Sequence, residues 1–389
     1  MRKSAGTAVF LSAALTGLFL VARSAPDPEK IKSRCVILED LAAQLRLSQE
    51  QYATMKKEVS LAQAELARKD FPAAEKILDQ TIAFYQARLA RVHRTSGGVP
   101  ILPPDHTPVP AEDSFSAPEP VSVTGYRDDL MEPLISKDGR FLLFNNSNSP
   151  ETDTHIHIAR RQGPLSFAYL GTLSGALSQS KDYAPAMTAS GRMFFTSLRL
   201  RPRLLDTLLV GDFKNGRLSG AARVPGTISS HLPLWLNMDC EVSADGSILI
   251  ISRARFSPGG HVPRESDLIV AELAEGRYRI SPRSREIMAK VNSSALEYAP
   301  CLSSDGLELF FTRAGEAMVK GRSQGNRLAI LRCCRGSVDA PFEAPRRIAS
   351  ITGFVEGPTL SADGRELFFH RRDGEKFQIY RCLRCAKAN

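Results

Sequence analysis

One short pattern occurs five times along this chain of 389 residues. In each copy an apolar run leads into a small residue, an acidic or small residue and a glycine, and a second apolar run follows at once. The five glycines lie 52 to 60 residues apart and are Gly139, Gly191, Gly246, Gly306 and Gly364. Self-similarity at such a period indicates one supersecondary unit per repeat, each burying its apolar faces against its neighbours.

The repeats predict strands. Asp-Gly or Ser-Gly gives the backbone freedom that a tight turn between two strands requires. A third apolar strand follows in every copy, and a fourth, more polar strand follows in the first four. Four-stranded units repeated in this way predict the blades of an all-β propeller. Five blades is the direct count, and six stays open because the longest steps leave room for a degenerate unit.

The fifth unit lacks a fourth strand of its own. Residues 120–126, PVSVTGY, precede the first unit and alternate apolar with polar side chains at Val121 and Val123. An unpaired outer edge invites aggregation. We therefore expect this amino-terminal segment to complete the last blade and close the ring.

Residues 28–96 have helical periodicity instead. Ser48 followed by Gln51 fits a capping box, and Pro72 is tolerated in the first turn of a second helix. We expect a small helical hairpin or three-helix arm, acting as a spacer or a self-association arm rather than as a peptide-binding site. The proline-rich residues 97–118 predict a stiff linker to a propeller over 119–389.

Residues 1–25 combine a basic start, a short apolar stretch and small residues near Ala25. This layout predicts an export signal. We expect a periplasmic or secreted protein with no membrane span after signal removal, although whether the signal is cleaved stays open. The net charge of +9 is scattered, and its densest patches are not interleaved with aromatic residues. Nucleic acid is therefore not an expected partner.

Seven cysteines raise the question of disulfides or zinc: Cys35, Cys240, Cys301, Cys333, Cys334, Cys382 and Cys385. Adjacent residues of a strand point to opposite faces, so Cys333 and Cys334 ligate one ion poorly. We expect buried thiols or one local disulfide, and no metal. His155 and His157 share a strand face and could form a two-ligand metal clip, but no third ligand is identifiable, so packing or solvent exposure is favoured.

The repeat resembles the WD40-like PD40 propeller repeat of TolB-like periplasmic proteins. Residues 291–313 and 337–369 carry the resemblance through a pattern of Asn, an acidic residue, Pro, Ser-x-Asp-Gly and Leu-x-Phe. Two copies depart: Ser190 replaces the turn aspartate, and Cys240 replaces the proline found at Pro133, Pro185, Pro300 and Pro358. The resemblance implies an exported propeller that binds other molecules, with no cofactor and no catalytic residue to carry over.

Acidic residues recur where each inner strand would enter the channel. This candidate binding set, with two neighbouring tyrosines, is Glu132, Asp182, Tyr183, Asp239, Glu297, Tyr298 and Glu356. Such carboxylates could hold a cation or a basic segment of a partner. Alternatively they bond to backbone groups of the adjacent blade. The turn aspartates, Asp138, Asp245, Asp305 and Asp363, recur at one structural position and are predicted to form turns rather than a catalytic site.

Two functions follow. The first is a non-catalytic exported binding or scaffold protein of the cell envelope that recognises protein or polymer at its channel face. The second is a propeller enzyme, a glycoside hydrolase or lyase, that acts on polysaccharide with channel carboxylates as acid and base. A single tryptophan and 7% aromatic residues leave few sugar-stacking platforms. The sequence therefore favours the binding protein.

Overall fold

The fold was obtained as a computed structural model. It describes residues 34–35, 37–38, 41–42, 49–68, 70–95, 109–148, 153–175, 181–198, 207–230, 232, 234–257, 262–319 and 322–385. The predicted export signal lies outside these residues. The described part is mostly β-structure with few helices.

The described residues between 34 and 42 are helical, and two helices with complete bounds follow before the strands. They are α1, Gln49–Ala67, and α2, Phe71–Thr95. Asp70 caps α2, since its Oδ1 accepts a hydrogen bond of 3.0 Å from the Ala73 N–H. The helices bury a core of their own that includes Met55, Leu78 and Tyr85, and Leu232 from the β-region packs against it. In the described residues no helix combines the length and apolar character that crossing a membrane requires.

Five antiparallel meanders follow. Their first strands are β4 (Met131–Ile135), β8 (Asp182–Met187), β13 (Trp235–Val242), β17 (Leu296–Leu302) and β21 (Val355–Leu360). Their second strands are β5 (Phe141–Asn145), β9 (Arg192–Ser197), β14 (Ile248–Phe256), β18 (Glu308–Val319) and β22 (Glu366–Asp373). Their third strands are β6 (Ile156–Arg161), β10 (Leu208–Lys214), β15 (Pro263–Ala274), β19 (Arg322–Cys334) and β23 (Lys376–Leu383).

Fourth strands complete the first four meanders. They are β7 (Ser166–Thr172), β11 (Arg217–Arg223), β16 (Arg277–Ile280) and β20 (Arg346–Ile348). A two-residue strand, β12 (Gly226–Thr227), pairs in parallel with β16, and a short helix, α3 (Ser284–Ile287), follows β16. A single parallel pairing of Ser266 with Leu296 joins the third and fourth meanders into one ten-stranded sheet.

The first strands contact one another in a cycle. β4 lies against β8, β8 against β13, β13 against β17, β17 against β21, and β21 against β4. The apolar second strands are buried between neighbouring meanders, and Phe310, Phe311, Phe368 and Phe369 are fully buried. This packing explains why these runs are apolar on both faces. The arrangement is propeller-like.

The segment before the first meander is divided among three sheets. β1 (Ala111–Glu112) pairs in parallel with β20, β2 (Glu119–Pro120) pairs antiparallel with β23, and β3 (Ser122–Thr124) pairs in parallel with β7. Two features therefore differ from the prediction. Of the expected closing strand 120–126, Pro120 and Val121 bond to the last meander, together with the preceding Glu119, whereas residues 122–124 pair with the first meander. Residues 109–118 of the expected linker belong to the β-region.

Buried side chains explain why the β-region begins at residue 109 rather than at the predicted residue 119. Phe115 is almost completely buried and packs against Phe310 with ring centroids 5.8 Å apart. Val109 packs against the core between the third and fourth meanders. The prolines that suggested a linker are compatible with edge strands, because an edge strand leaves one N–H row unpaired.

The glycine turns share one geometry. In the third meander the Gly246 N–H donates to the Ser243 carbonyl at 2.9 Å, and Asp245 Oδ1 accepts from Ser243 Oγ at 2.6 Å and from the Ser247 N–H at 3.0 Å. The same bonds surround Asp138, Asp305 and Asp363. The aspartates thus hold the turns, and the serine hydrogen bonds lower the pKa of Asp245, Asp305 and Asp363.

Candidate functional site

Each first strand carries an irregularity where it meets the centre. In four meanders it coincides with a positive-φ residue followed by proline, namely Glu132, Ala184, Ala299 and Gly357. In the third meander the register shifts between Asn237 and Asp239. Proline lacks an N–H and restricts the preceding residue. The bulges therefore interrupt the ladder at one level in four strands, and the third strand, which has Cys240 in place of the proline, is irregular one residue earlier, at Met238.

The predicted acidic residues occupy three positions relative to this bulge. Glu132 and Asp239 stand at the bulge, Glu356 one residue before it, and Asp182 and Glu297 two residues before it. Tyr183 and Tyr298 share the position of Glu356. All seven side chains are buried, with no more than 4% exposed. They do not form a single open ring at a channel mouth.

A second set of polar residues, which sequence reasoning missed, faces these bulges. It consists of one buried polar residue from each second strand: Asn145, Thr196, Ser252, Thr312 and His370. In four meanders this residue bonds to the bulge of the next meander. The bonds are Ala184 N–H to Asn145 Oδ1 (3.2 Å), Thr196 Oγ1–H to the Met238 carbonyl (2.6 Å), Gly357 N–H to Thr312 Oγ1 (3.1 Å) and Glu132 N–H to His370 Nδ1 (3.2 Å).

Asp239 makes the corresponding link from the third meander to the fourth. Ser252 Oγ donates to its Oδ1, and the Ala299 N–H donates to its Oδ2 at 3.2 Å. Together the five links give hydrogen-bond partners to polar groups at the bulges, where the regular hydrogen bonding between strands is interrupted. Buried polar groups need such partners, because leaving one unpaired costs about 1–3 kcal/mol.

A longer network connects the last meander to the first. Glu356 accepts from the Tyr298 hydroxyl with Oε1 and from His370 Nε2 at 3.3 Å with Oε2. Since the Glu132 N–H donates to Nδ1 of His370, the ring proton lies on Nε2. Glu132 Oε1 in turn accepts from Asn148 Nδ2 at 2.9 Å, and Asn148 accepts from Asn145 at 2.8 Å.

Burial changes the acidity of these carboxyls. It raises the pKa of Asp239 to about 7, with the Glu132 charge adding to the rise and the Ser252 and Ala299 hydrogen bonds opposing it. It also raises the pKa of Glu297 to about 7, although Arg313 lies 2.7 Å away and Ser293 donates two hydrogen bonds. These two carboxyls are therefore partly protonated near neutral pH.

The centre encloses a small cavity. Residues from all five first strands line it, including Glu132, Asp239 and Glu241, and its volume is ≈ 30 Å³. This is room for about two water molecules and far below the roughly 300 Å³ at which ligand pockets begin. Across the centre, Lys137 Nζ lies 3.8 Å from Glu241 Oε1, and burial raises the pKa of Glu241 to about 7. No cluster of three metal-ligating side chains occurs within the described ranges.

Variants of Asp239 separate the two interpretations of these carboxylates, namely ligand binding and hydrogen bonding to the adjacent blade. We expect Asp239→Asn to be at least as stable as wild type at pH 8, because the amide oxygen can accept from the Ala299 N–H while the amide NH2 donates to Ser252 Oγ, without a buried charge. Asp239→Ala should lose about 1–3 kcal/mol. Urea unfolding of both variants measures this. A loss in Asp239→Asn equal to that in Asp239→Ala would show that the negative charge itself is required.

The raised pKa values also fix a pH dependence. Asp239, Glu241 and Glu297 bind protons more tightly in the folded chain than at their ordinary pKa near 4. The unfolded state then holds fewer protons between roughly pH 4 and 7, so the free energy of unfolding falls as pH rises through that window. Thermal unfolding should therefore give a higher midpoint at pH 5.5 than at pH 8. A rising midpoint over that range would contradict these protonation states.

Among the other candidate residues, the rings of His155 and His157 lie edge to face with centroids 6.5 Å apart, but the two residues bond to different partners. His155 Nε2 lies 3.1 Å from Asp153, whereas His157 Nδ1 lies 2.8 Å from the Tyr169 hydroxyl, and burial lowers the pKa of His157 to about 4. They do not form a clip in this structure. All seven cysteines are described, and none forms a disulfide. Asp182 is buried in β8, where its N–H donates to the Thr154 carbonyl at 3.4 Å.

No family model matches the chain, and no curated protein matches it. Similar solved structures include a thermostable family-43 glycoside hydrolase, with 10% identity over 70% of this chain and 94% of that one and a TM-score of 0.43. A mannose phosphorylase from Leishmania mexicana is 11% identical over 70% of this chain and 88% of that one, with a TM-score of 0.41. TolB from Acinetobacter baumannii is 18% identical over 60% of this chain and 46% of that one, with a TM-score of 0.32.

At such TM-scores and identities these likenesses carry no argument about activity. They include both TolB and glycoside hydrolases, so they favour neither predicted function. The resemblance to the PD40 repeat stays a prediction made from residues.

Proposed function

We propose that the chain is a closed five-bladed propeller and a non-catalytic binding scaffold, exported to the periplasm or the cell exterior, for protein or polymer partners. The cycle of contacts among the five first strands supports closure. The pairing of Glu119–Pro120 with the last meander supplies its fourth strand.

The observation that carries the non-catalytic proposal is the state of the channel carboxylates. Asp239, Glu297 and Glu356 are almost completely buried, and each accepts hydrogen bonds from the protein itself. A glycosidase needs a pair of carboxyl groups that contact a sugar on both sides of the scissile bond. The central cavity, which Asp239 lines and whose volume is ≈ 30 Å³, leaves no space for a sugar unit.

A partner at the channel face would therefore meet loops and backbone rather than these side chains. The inter-strand connections around a rigid β-scaffold are the usual carriers of recognition. The helical arm packs against Leu232, which lies three residues before the start of β13 at Trp235.

The test combines binding with hydrolysis. Full-length protein and a chain beginning at Val109 are immobilised and exposed to envelope extract, and both are incubated with a panel of polysaccharides. We expect the same partner on both chains and no release of reducing sugar. Sugar release that disappears in Glu356→Gln or Asp239→Asn would support the enzyme instead. A partner held by the full-length chain alone would move recognition to the helical arm.

A further inference from the structure

The five meanders differ from one another in charge at their glycine turns. The second meander has Ser190 where the other four turns have aspartate. Two residues after the turn glycine, the fourth and fifth meanders have Glu308 and Glu366, whereas the first and second have Phe141 and Met193. Glu308 and Glu366 each pair with two arginines. The third meander has Ile248 at this position, so the first three meanders lack the glutamate that neutralises arginine at this end of the fold, and the second meander lacks the turn aspartate as well.

A groove lies between these two meanders. One wall is the turn of the first meander around Arg140, and the other is the β10–β11 hairpin at Lys214 and Asn215. Its floor includes Phe141 and Phe213, whose rings meet edge to face with centroids 5.9 Å apart. The groove encloses ≈ 190 Å³, several times the volume of the central cavity.

The groove continues into a depression beside the first meander that is lined by Arg140, Arg160 and Arg161. Arg140 and Arg160 both lie over the Phe141 ring, at 5.6 and 5.9 Å from its centroid. Two like charges are thus held near one ring. Such cation–π contacts fix the guanidinium groups before any ligand arrives.

The charges here are only partly compensated. Arg140 pairs with Asp138, Arg161 with Glu366, and Lys137 with Glu241. Arg160 and Lys214 are exposed and form no ion pair with a carboxylate of the described residues. A guanidinium presents a planar fork of donors that suits a carboxylate in two-point contact. The surface is therefore complementary to a chain that carries several negative charges.

We propose that this groove, on the glycine-turn face rather than at the predicted acidic entrance, binds an acidic peptide segment of a partner protein. The proposal rests on the binding function proposed above and names its surface. A peptide fits better than an acidic polysaccharide because Phe141 is 4% exposed and offers no open face for a sugar ring. Phosphate-rich nucleic acid would need stacking aromatics, which the groove does not present.

The test uses the full-length chain and a labelled oligoglutamate peptide, with fluorescence anisotropy at low and high salt. We expect salt-sensitive binding that the double variant Arg160→Gln, Lys214→Gln weakens at least about tenfold, which corresponds to about 1.4 kcal/mol for the two lost charges together. The control is Arg277→Gln, since Arg277 occupies in the third meander's β15–β16 hairpin the place that Arg217 occupies beside Lys214. It should bind like wild type.

Three results would overturn the proposal: no binding by wild type, equal binding by the double variant, or stronger competition by polygalacturonate than by unlabelled peptide. Thermal unfolding of the double variant is the control for its fold, and we expect an unchanged midpoint because both side chains are exposed. A partner captured from extract equally by wild type and the double variant would reject this groove while leaving the scaffold function standing.

Discussion

A chain that begins at Gly125 is expected to lose most of its stability, with a thermal midpoint lower by roughly 10 °C or more or no cooperative transition at all. The removed residues 109–124 contain Phe115, Val121 and Val123, all in the core. Burying each such side chain contributes about 1.5–3 kcal/mol. Their sum is comparable with the whole stability of a typical domain, about 5–15 kcal/mol.

Ion pairs add to this loss. Glu112 lies 3.1 Å from Arg332, and Glu119 lies 2.8 Å from Arg381. Arg332 and Arg381 also bond to Glu308 and Glu366 of the same two meanders. Deleting the segment therefore disrupts two networks of partly buried charges and exposes the outer edge of β23.

The control is a chain that begins at Val109, which loses the helical arm but keeps all three short strands. We expect its midpoint to stay within a few degrees of that of the full-length chain, since Leu232 is the one apolar β-region side chain, among the residues described, that packs against the helical core. Equal midpoints for the chains beginning at Val109 and at Gly125 would contradict the structural role of residues 109–124. Circular dichroism and calorimetry measure both.

The second large effect is expected from Glu356→Ala. This change removes the acceptor of the Tyr298 hydroxyl and of His370 Nε2, both of which are buried between the fourth, fifth and first meanders. Removing one partner of a buried charged network costs about 3–5 kcal/mol. Urea unfolding should show a lower midpoint with little change in slope.

Two variants calibrate this prediction. Tyr298→Phe removes one donor and should cost about 1 kcal/mol, whereas Glu375→Ala, at an exposed turn of the same meander, should change stability by less than about 0.5 kcal/mol. If Glu356→Ala were no more destabilising than Glu375→Ala, the network would not hold the meanders together. A stable Glu356→Ala that had lost partner binding would assign the carboxylate to recognition.

The turns could be predicted from sequence because their physics is local. Asp245 needs only Ser243 and the next N–H groups to form its hydrogen bonds, and the glycine supplies the positive φ that the turn requires. Strand order within each meander then follows from short connections. Thus the mostly-β, propeller-like fold was within reach of the sequence.

The geometry of the channel could not be predicted from the sequence, because it depends on contacts between residues that are far apart in the chain. His370 and the Glu132 backbone are 238 residues apart, and the prolines that recur at four of the bulges do not indicate which distant side chains the bulges meet. One signal was available. A polar residue ends the second apolar run six residues after four of the five glycines, and this set forms the links to the neighbouring meanders. The boundary at residue 109 was hidden by prolines that pattern alone assigns to a linker.

Hydrogen exchange of residues 119–124 tests ring closure most directly. The Val121 N–H donates to the Ile379 carbonyl at 2.9 Å and the Ser122 N–H to the Leu165 carbonyl at 2.8 Å, so this short segment bonds to the last and the first meander at once. A closed ring predicts that these amides exchange about as slowly as those of the buried strand Glu366–Asp373. Exchange at the rate of an unstructured peptide, with that strand still protected, would contradict the closed propeller.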